Sequence, residues 1–319
     1  MIADFPAMML VALALDRLIG WPDWLYARIG HPVTWAGHLI ASLDERLNRA
    51  AAPGKPMGVL VLIICIAAAL LPSAVAQALL PRNITGILVG GCFAWPLVAM
   101  RSLQDHVAAV AMPLIAGELP AARHAVSMIV GRNPDALDEA GVARAALESL
   151  AENSSDGIVA PVFWGAVAGL PGIAVYKMIN TLDSMIGHRS PRYLQFGWAS
   201  ARLDDLVNLI PARATGALFA LACGNPLRAG RVMMRDASRH RSPNAGWPEG
   251  AMAGALGVRL SGPRIYDDHV APEPWLNEGA PDPLPASVTQ GLGLYRRAML
   301  LLAAGLMVWT LLPIITEAS

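Results

Sequence analysis

The chain has 319 residues, of which 55% are apolar and only 15% charged, and its mean hydropathy is +0.46. Soluble domains carry about 25% charged residues, so this composition cannot supply the polar surface of a cytosolic globule, and the same figures exclude disorder. Equal numbers of basic and acidic residues, 24 of each, give a formal charge of zero, without the basic field of a nucleic-acid binder.

The first residues, Met1-Ile2-Ala3-Asp4, lack a basic n-region and do not read as a cleaved signal peptide. Residues 5–20 form a weak first span, with Asp16 and Arg17 marking an interface rather than a midplane. Residues 57–80 are an uncharged run between Lys55 and Arg82, and 84–100 follow after a very short turn and end at Arg101. About 20 apolar residues cross a bilayer core, so the two predict a transmembrane hairpin. Residues 298–316, preceded by Arg296 and Arg297, form another span. Cys65, Cys92 and Cys223 all lie in apolar stretches with no CxxC and read as buried, inert thiols.

Two further stretches are ambiguous. Residues 157–176 are uncharged and long enough to cross, but Pro161, Pro171 and the Gly-Leu-Pro-Gly at 169–172 break a straight helix. Residues 206–222 contain Pro211 and Arg213, and an Arg at the midplane costs about 3 kcal/mol. The segments 21–56, 101–156, 177–205 and 223–297 hold four, four, four and nine basic residues, so all four belong on the cytoplasmic side. That requires 157–176 to dip in and return, or to pack as a buried helical hairpin. Residues 242–260 predict a helix from near Pro248 rich in small residues, and 261–288, rich in Pro, Gly and acids, an extended surface loop. With no internal repeat or compositional break, residues 1–319 read as one all-α, polytopic integral membrane domain. It has about four to six membrane-embedded helical segments, some re-entrant, with polar segments 130–156, 177–213 and 242–263 between them.

The polar residues concentrate between 132 and 213. Glu148, Glu152 and Asp156 are successive i, i+4 neighbours, and so are Asp204 and Asn208, with Asp205 alongside. Like charges on one helix face repel unless Arg or Mg2+ lies between them. Mg2+ takes one or two carboxylates and fills its octahedron with water and phosphate oxygens, so carboxylates interleaved with Arg suit a phosphate-bearing substrate. An ordinary solvated face with i, i+4 ion pairs is the bland alternative. No GxxxxGK[ST] or GxGxxG loop, GxSxG elbow or HExxH helix is present. His31 and His188 stand out among seven dispersed histidines, and Asn244 and Glu249 in the 242–260 segment are further candidates.

The strings HPVTWAGHLI (31–40), VGRNPDALDEAGVARAALESLAEN (130–153), AENSSDGIVAPVFWGAVAGLPGIAVYKMINTLDSMIGHRSPRY (151–193), FGWASARLDDLVNLIPARATG (196–216) and SPNAGWPEGAMAGALGVRLSGP (242–263) closely resemble the CobD/CbiB family of cobalamin biosynthesis. The resemblance covers nearly the whole chain in order. It departs after VGR, where Asn133 and Pro134 replace an expected Asp and Thr. It implies a multi-pass enzyme of the bacterial inner membrane with its site facing the cytoplasm. The expected reaction is the ATP- and Mg2+-dependent joining of adenosylcobyric acid to aminopropanol or its phosphate, an amide ligation of the adenosylcobinamide-phosphate synthase type. The expected partners are these substrates and the lipid bilayer, with no nucleic acid. A homo-oligomer or an assembly with later corrinoid enzymes is left open.

On this resemblance Asp183, Asp204 and Asp205 are expected to hold Mg2+ on the ATP phosphates. Arg189, Arg192, Arg202 and Arg213 are expected to clamp phosphate, together with Arg132, Asn153, Asn180, Asn208 and Asn244. Glu152 or Asp156 takes a proton from the attacking ammonium, and Lys177 and Asp183 complete the catalytic candidates. Trp164, Trp198 and Trp247 are candidates for the corrin wall. Two other readings are open: an Mg2+-dependent membrane prenyltransferase or phosphotransferase using Asp204-Asp205-x-x-Asn208, and a membrane carrier of corrinoid intermediates.

Overall fold

The structure is a computed structural model that describes residues 4–49, 54–130, 134–265, 270–271 and 273–317. It is all-α apart from four two-residue strands among the described residues. Four helical runs, Lys55–Leu79, Ile84–Ile115, Glu139–Ile186 and Pro285–Leu312, are long and apolar enough to cross a membrane. A bent pair, Phe5–Leu18 and Asp23–Leu47, turned by 113°, makes a fifth if counted as one span.

The chain divides into two compact units interleaved in sequence. The first comprises Met1–Ala99, Ala160–Asn208 and Ala303–Ser319, and the second Met100–Val159 and Leu209–Leu302. In the first, helices α1 (Asp4–Leu18), α2 (Asp23–Ile29), α3 (Pro32–Leu47), α4 (Lys55–Leu79) and α5 (Ile84–Ala94) come first in the chain. Local chemistry starts two of them. His31 Nδ1 accepts from Val33 N at 3.2 Å with Pro32 at the first position of α3, and Asn83 Oδ1 accepts from Gly86 N at 3.2 Å ahead of α5. α9 (Ala160–Ile186) packs against α1, α3, α4, α5 and α10 (Trp198–Val207). Glycines set the closest approaches. A Cβ on Gly165 would stand 2.2 Å from Met9 Sδ, one on Gly91 2.5 Å from the Val11 side chain, and one on Gly197 1.7 Å from Ile186 O.

α9 is interrupted at Gly169, whose φ of 65° and ψ of −147° only glycine adopts readily. In a straight helix Trp164 and Tyr176 would be separated by about 18 Å. Here Trp164 Nε1 donates to Val207 O at 3.0 Å, and Tyr176 OH donates to the adjacent Asn208 Oδ1 at 2.9 Å. A Cβ on Gly172 would lie 2.1 Å from Trp164 O. The chain therefore doubles back at 169–172, as a buried helical hairpin. Gln77 Oε1, from α4, accepts the Leu170 amide at 2.7 Å.

In the second unit, α6 (Met100–Ile115) and α7 (Leu119–Ser127) pack on α8 (Glu139–Ser154), which Asp138 caps through Gly141 N at 2.7 Å. A π turn, Ser155–Val159, follows and packs on α8, α6 and α11 (Leu209–Ala222), while α12 (Pro226–Asp236) and α13 (Gly246–Leu256) pack on each other and on α11. The expected helix of 242–260 is α13, which ends at Gly257 with φ 71°. Described residues of the expected surface loop form antiparallel pairs. β1 (Leu260–Ser261) pairs with β4 (Trp275–Leu276), and β2 (Arg264–Ile265) with β3 (Val270–Ala271). Leu260, Ser261 and Leu276 are buried, and the reason is a clamp. Arg144 and Arg259 lie over the Trp275 ring at 4.7 and 4.2 Å, and both pair with Asp282. α14 (Pro285–Glu317) closes the chain. The three cysteines are unbonded, but only Cys65 is buried; Cys92 is exposed and Cys223 half-buried.

Two outcomes follow. Gln77→Ala leaves the Leu170 amide without its acceptor and lowers stability by about 1–3 kcal/mol, read as a fall in the thermal midpoint in detergent; an unchanged midpoint contradicts the role. The Arg259 and Arg144 contacts hold the Asp282 carboxyl at about 2, below its unfolded value of about 3.9. That stabilisation is present above pH ~4 and is lost as pH falls towards 2. Arg259→Ala therefore moves the acid limb of an unfolding-versus-pH curve to higher pH.

Candidate functional site

The expected polar residues divide between the two units. In the first, α9 after its fold-back and α10 run antiparallel, closed at one end by the Gly197–Ile186 contact. A polar seam lies between them. Asn208 Nδ2 donates to Asp204 Oδ2 at 3.0 Å, and Tyr176 OH donates to Asn208 Oδ1. Asp204 is 8% exposed and Asn208 1% exposed. Asn180 stands beside Asp204 and favours its ionised form, yet Asp204 Oδ1 has no hydrogen-bond partner among the described residues. Burial first, and repulsion from Asp183 second, push the Asp204 carboxyl up to about 7. Burial also raises Asp205, against the pull of Arg202 and Arg189.

At the mouth of the seam is a pocket of about 360 Å³ lined by Gly187, His188, Arg189, Tyr193, Leu194, Trp198, Ala201, Arg202 and Asp205. Arg202 Nη1 lies 3.6 Å from Asp205 Oδ2, and Lys55 stands 4.6 Å over the Trp198 ring. Gly187 makes room for Asp183, because a Cβ there would be 1.9 Å from Asp183 Oδ1. Guanidinium groups at the rim with half-buried carboxylates behind them suit a phosphate-bearing ligand that brings a divalent cation. Among the described residues no three His, Cys, Asp or Glu side chains gather to hold a metal. A cation here would rest on two carboxylates, neutral oxygens and the ligand's own phosphate. The orphaned Asp204 Oδ1 fits that demand.

The seam and pocket thus unite Asn180, Asp183, Arg189, Arg202, Asp204 and Asp205. Asn208 is engaged in holding Asp204. Arg192 is committed elsewhere: its Nη2 meets Asp44 Oδ2 at 2.6 Å, beside Tyr193 OH at 3.1 Å, and Asn48 Nδ2 donates to Asp44 Oδ1 at 2.7 Å. Asp44 on α3 is 8% exposed and needs a cation. Lys177 lines a separate apolar pocket of about 310 Å³ with Trp35, Leu39, Pro72 and Met178. His31 is a helix cap, whereas His188 lines the pocket.

The other expected residues belong to the second unit, and Arg132 and Asn133 lie outside the described residues. Glu148 is buried and accepts from Ser261 N at 2.8 Å. Glu152 and Asn153 are exposed, and Asn153 Nδ2 donates to Ser149 O at 2.9 Å. The π turn at 155–159 breaks the i, i+4 register, so Asp156 does not continue the face of Glu148 and Glu152. Arg213 Nη1 donates to Leu209 O at 2.7 Å, and its guanidinium stacks 4.2 Å over Trp247. Asn244 is buried beside a buried pair, His240 and Glu249, whose Nε2 and Oε1 are 3.7 Å apart. Sequence reasoning missed Tyr176 and His240; Tyr176 lay four residues before Asn180, the only signal it offered.

The family described as CobD/Cbib protein matches residues 9–295. The chain is 67% identical over 296 residues to the cobalamin biosynthesis protein CobD of Rhodobacter capsulatus, covering 93% of this chain and 94% of that one. Proteins of the same description from Sinorhizobium fredii and Brucella suis are 50% identical over 281 and 277 residues. These cover 85% and 84% of this chain and 86% and 85% of theirs. No solved structure matches.

If Arg192 serves Asp44 while Arg189 and Arg202 face the ligand, the three arginines separate by experiment. Arg192→Ala lowers the thermal midpoint and leaves binding of inorganic phosphate unchanged. Arg189→Ala and Arg202→Ala weaken phosphate binding with the midpoint preserved, both read by calorimetry.

Proposed function

The chain belongs to the CobD/CbiB family, and on that premise we propose that it is an enzyme of cobalamin biosynthesis, an ATP- and Mg2+-dependent ligase that joins a corrin propionate of adenosylcobyric acid to aminopropanol or its O-phosphate. The observation that supports this reading best is the arginine-rimmed pocket with Asp205 at its mouth and Asp183 and Asp204 in the seam behind. The chemistry requires such a place. A carboxylate is a poor acyl donor, so its oxygen first takes a phosphoryl group from ATP with release of ADP, or an adenylyl group with release of pyrophosphate. The amine nitrogen then attacks the acyl carbon, the acyl–oxygen bond breaks, phosphate or AMP leaves, and the nitrogen gives up a proton.

In this reading Arg189 and Arg202 hold phosphate oxygens and orient the transferring group, a positioning role that removes much of the entropic barrier. Asp204 and Asp183 would hold Mg2+, and Asp205 would balance the arginines. Mg2+ would supply neutralisation of the phosphate charge that builds up in the reaction. Trp198 at the pocket wall gives an apolar face for the corrin or for a base. The clustering of basic residues in these segments supports a reading in which this side faces the cytoplasm of a bacterial inner membrane, where ATP and Mg2+ are supplied.

The test is direct. The purified protein in detergent, given adenosylcobyric acid, aminopropanol phosphate, ATP and Mg2+, yields a corrinoid heavier by the mass of amide condensation, dependent on both ATP and Mg2+. Asp183→Asn and Asp204→Asn reduce the rate by about 100-fold or more while each protein still partitions into membranes. Wild-type turnover in either variant overturns the assignment of that carboxylate.

A further inference from the structure

Several helical hydroxyls of this protein are satisfied within their own helix. Ser73, Ser154, Thr181, Ser184, Thr215 and Thr310 each donate to the carbonyl four residues earlier, at 2.6 to 2.9 Å. Ser200 differs. Its side chain is fully buried, at 0% exposure, and its Oγ has no hydrogen-bond partner among the described residues. A buried hydroxyl without a partner is costly enough to require an account.

Ser200 stands four residues before Asp204 on α10, so the two share a helix face. Asp204 carries the other orphan of this face, Oδ1. Its Oδ2 is tied by Asn208 Nδ2 at 3.0 Å, and Asn208 is in turn fixed by Tyr176 OH at 2.9 Å, with Asn208 and Tyr176 each 1% exposed. The chain of donors leaves one carboxylate oxygen held and the other bare. It is the arrangement by which outer groups fix a ligating carboxylate.

We propose that Ser200 Oγ and Asp204 Oδ1 together form one wall of a divalent-cation cradle. Asp183 lies close enough to repel Asp204 and supplies the second charge. Tyr176 and Asn208 are positioning residues that hold Asp204 in this presentation. The ligand class is a small hard cation, which takes one or two carboxylates together with neutral oxygens. This inference rests on the proposed Mg2+ role of Asp204 and extends it to Ser200 and Tyr176.

The experiment is Mn2+ binding alone, without nucleotide, to the purified full chain, followed by electron paramagnetic resonance. Ser200→Ala and Tyr176→Phe each weaken Mn2+ binding by about tenfold, with the thermal midpoint in metal-free buffer within a few degrees of wild type. Wild-type Mn2+ affinity in either folded variant overturns the proposal. Should one variant fail to fold, the other carries the test. Asp204→Asn separates the two levels. If it loses Mn2+ while both other variants keep it, this inference falls and the carboxylate reading stands. If it binds Mn2+ as wild type does, the carboxylate reading falls with it.

Discussion

A backbone amide freed from its helix inside an apolar core must find another acceptor, and this requirement organises the first unit. The break at Gly169 frees the Leu170 amide, and Gln77 of α4 accepts it. With that group satisfied, α9 can turn back on itself instead of continuing across. The turn sends Trp164 and Tyr176 to the same end of α10. It also sets Asn180 and Asp183 opposite Asp204. A glycine, a proline two residues on and one polar residue on a neighbouring helix thus decide where the polar seam lies.

The seam then faces a second constraint. Asp183, Asp204 and Asp205 are near neighbours in a place that disfavours charge, and burial outweighs every other influence on Asp204 and Asp205. Arginine could have been placed between them, but it was not. Arg189 and Arg202 stand at the pocket rim, where they meet Asp205 and solvent. Beside Asp204 the compensation comes from the amides of Asn180 and Asn208. The fold gathers acids and amides in the seam and keeps guanidinium at the mouth.

Much of this was legible from residues alone. The uncharged runs of 57–80 and 84–100 predicted α4 and the start of the next span because hydrocarbon admits little else. The Gly-Leu-Pro-Gly at 169–172 pointed to a return. The spacing of Asp204 and Asn208 put them on one helix face, where Asn208 turns out to hold Asp204 rather than phosphate. What was not legible has physical causes. An arginine's partner is set by tertiary neighbours, so nothing near Arg192 announced Asp44, 148 residues away in sequence. The i, i+4 rule carried Glu148 and Glu152 but failed at Asp156, because a π turn has no sequence periodicity of its own. Cys92 sits in an apolar stretch yet is exposed, since a lipid-facing helix puts apolar residues outside.

The arginines show how such a fold separates structure from chemistry. The chain has only two lysines, Lys55 and Lys177, so nearly every structural cation must also be a guanidinium. Arg192 neutralises Asp44, Arg213 stacks on Trp247, and Arg144 with Arg259 brackets Trp275 against Asp282. Each of these has found an aromatic face or a buried carboxylate, the two partners that best suit a planar cation. Arg202 makes a long contact with Asp205, and Arg189 acts on that same carboxylate. A guanidinium has five donors, and one half-buried acid at a pocket mouth does not occupy them all. Of the described arginines expected to bind phosphate, Arg189 and Arg202 line the pocket, whereas Arg192 and Arg213 are engaged elsewhere.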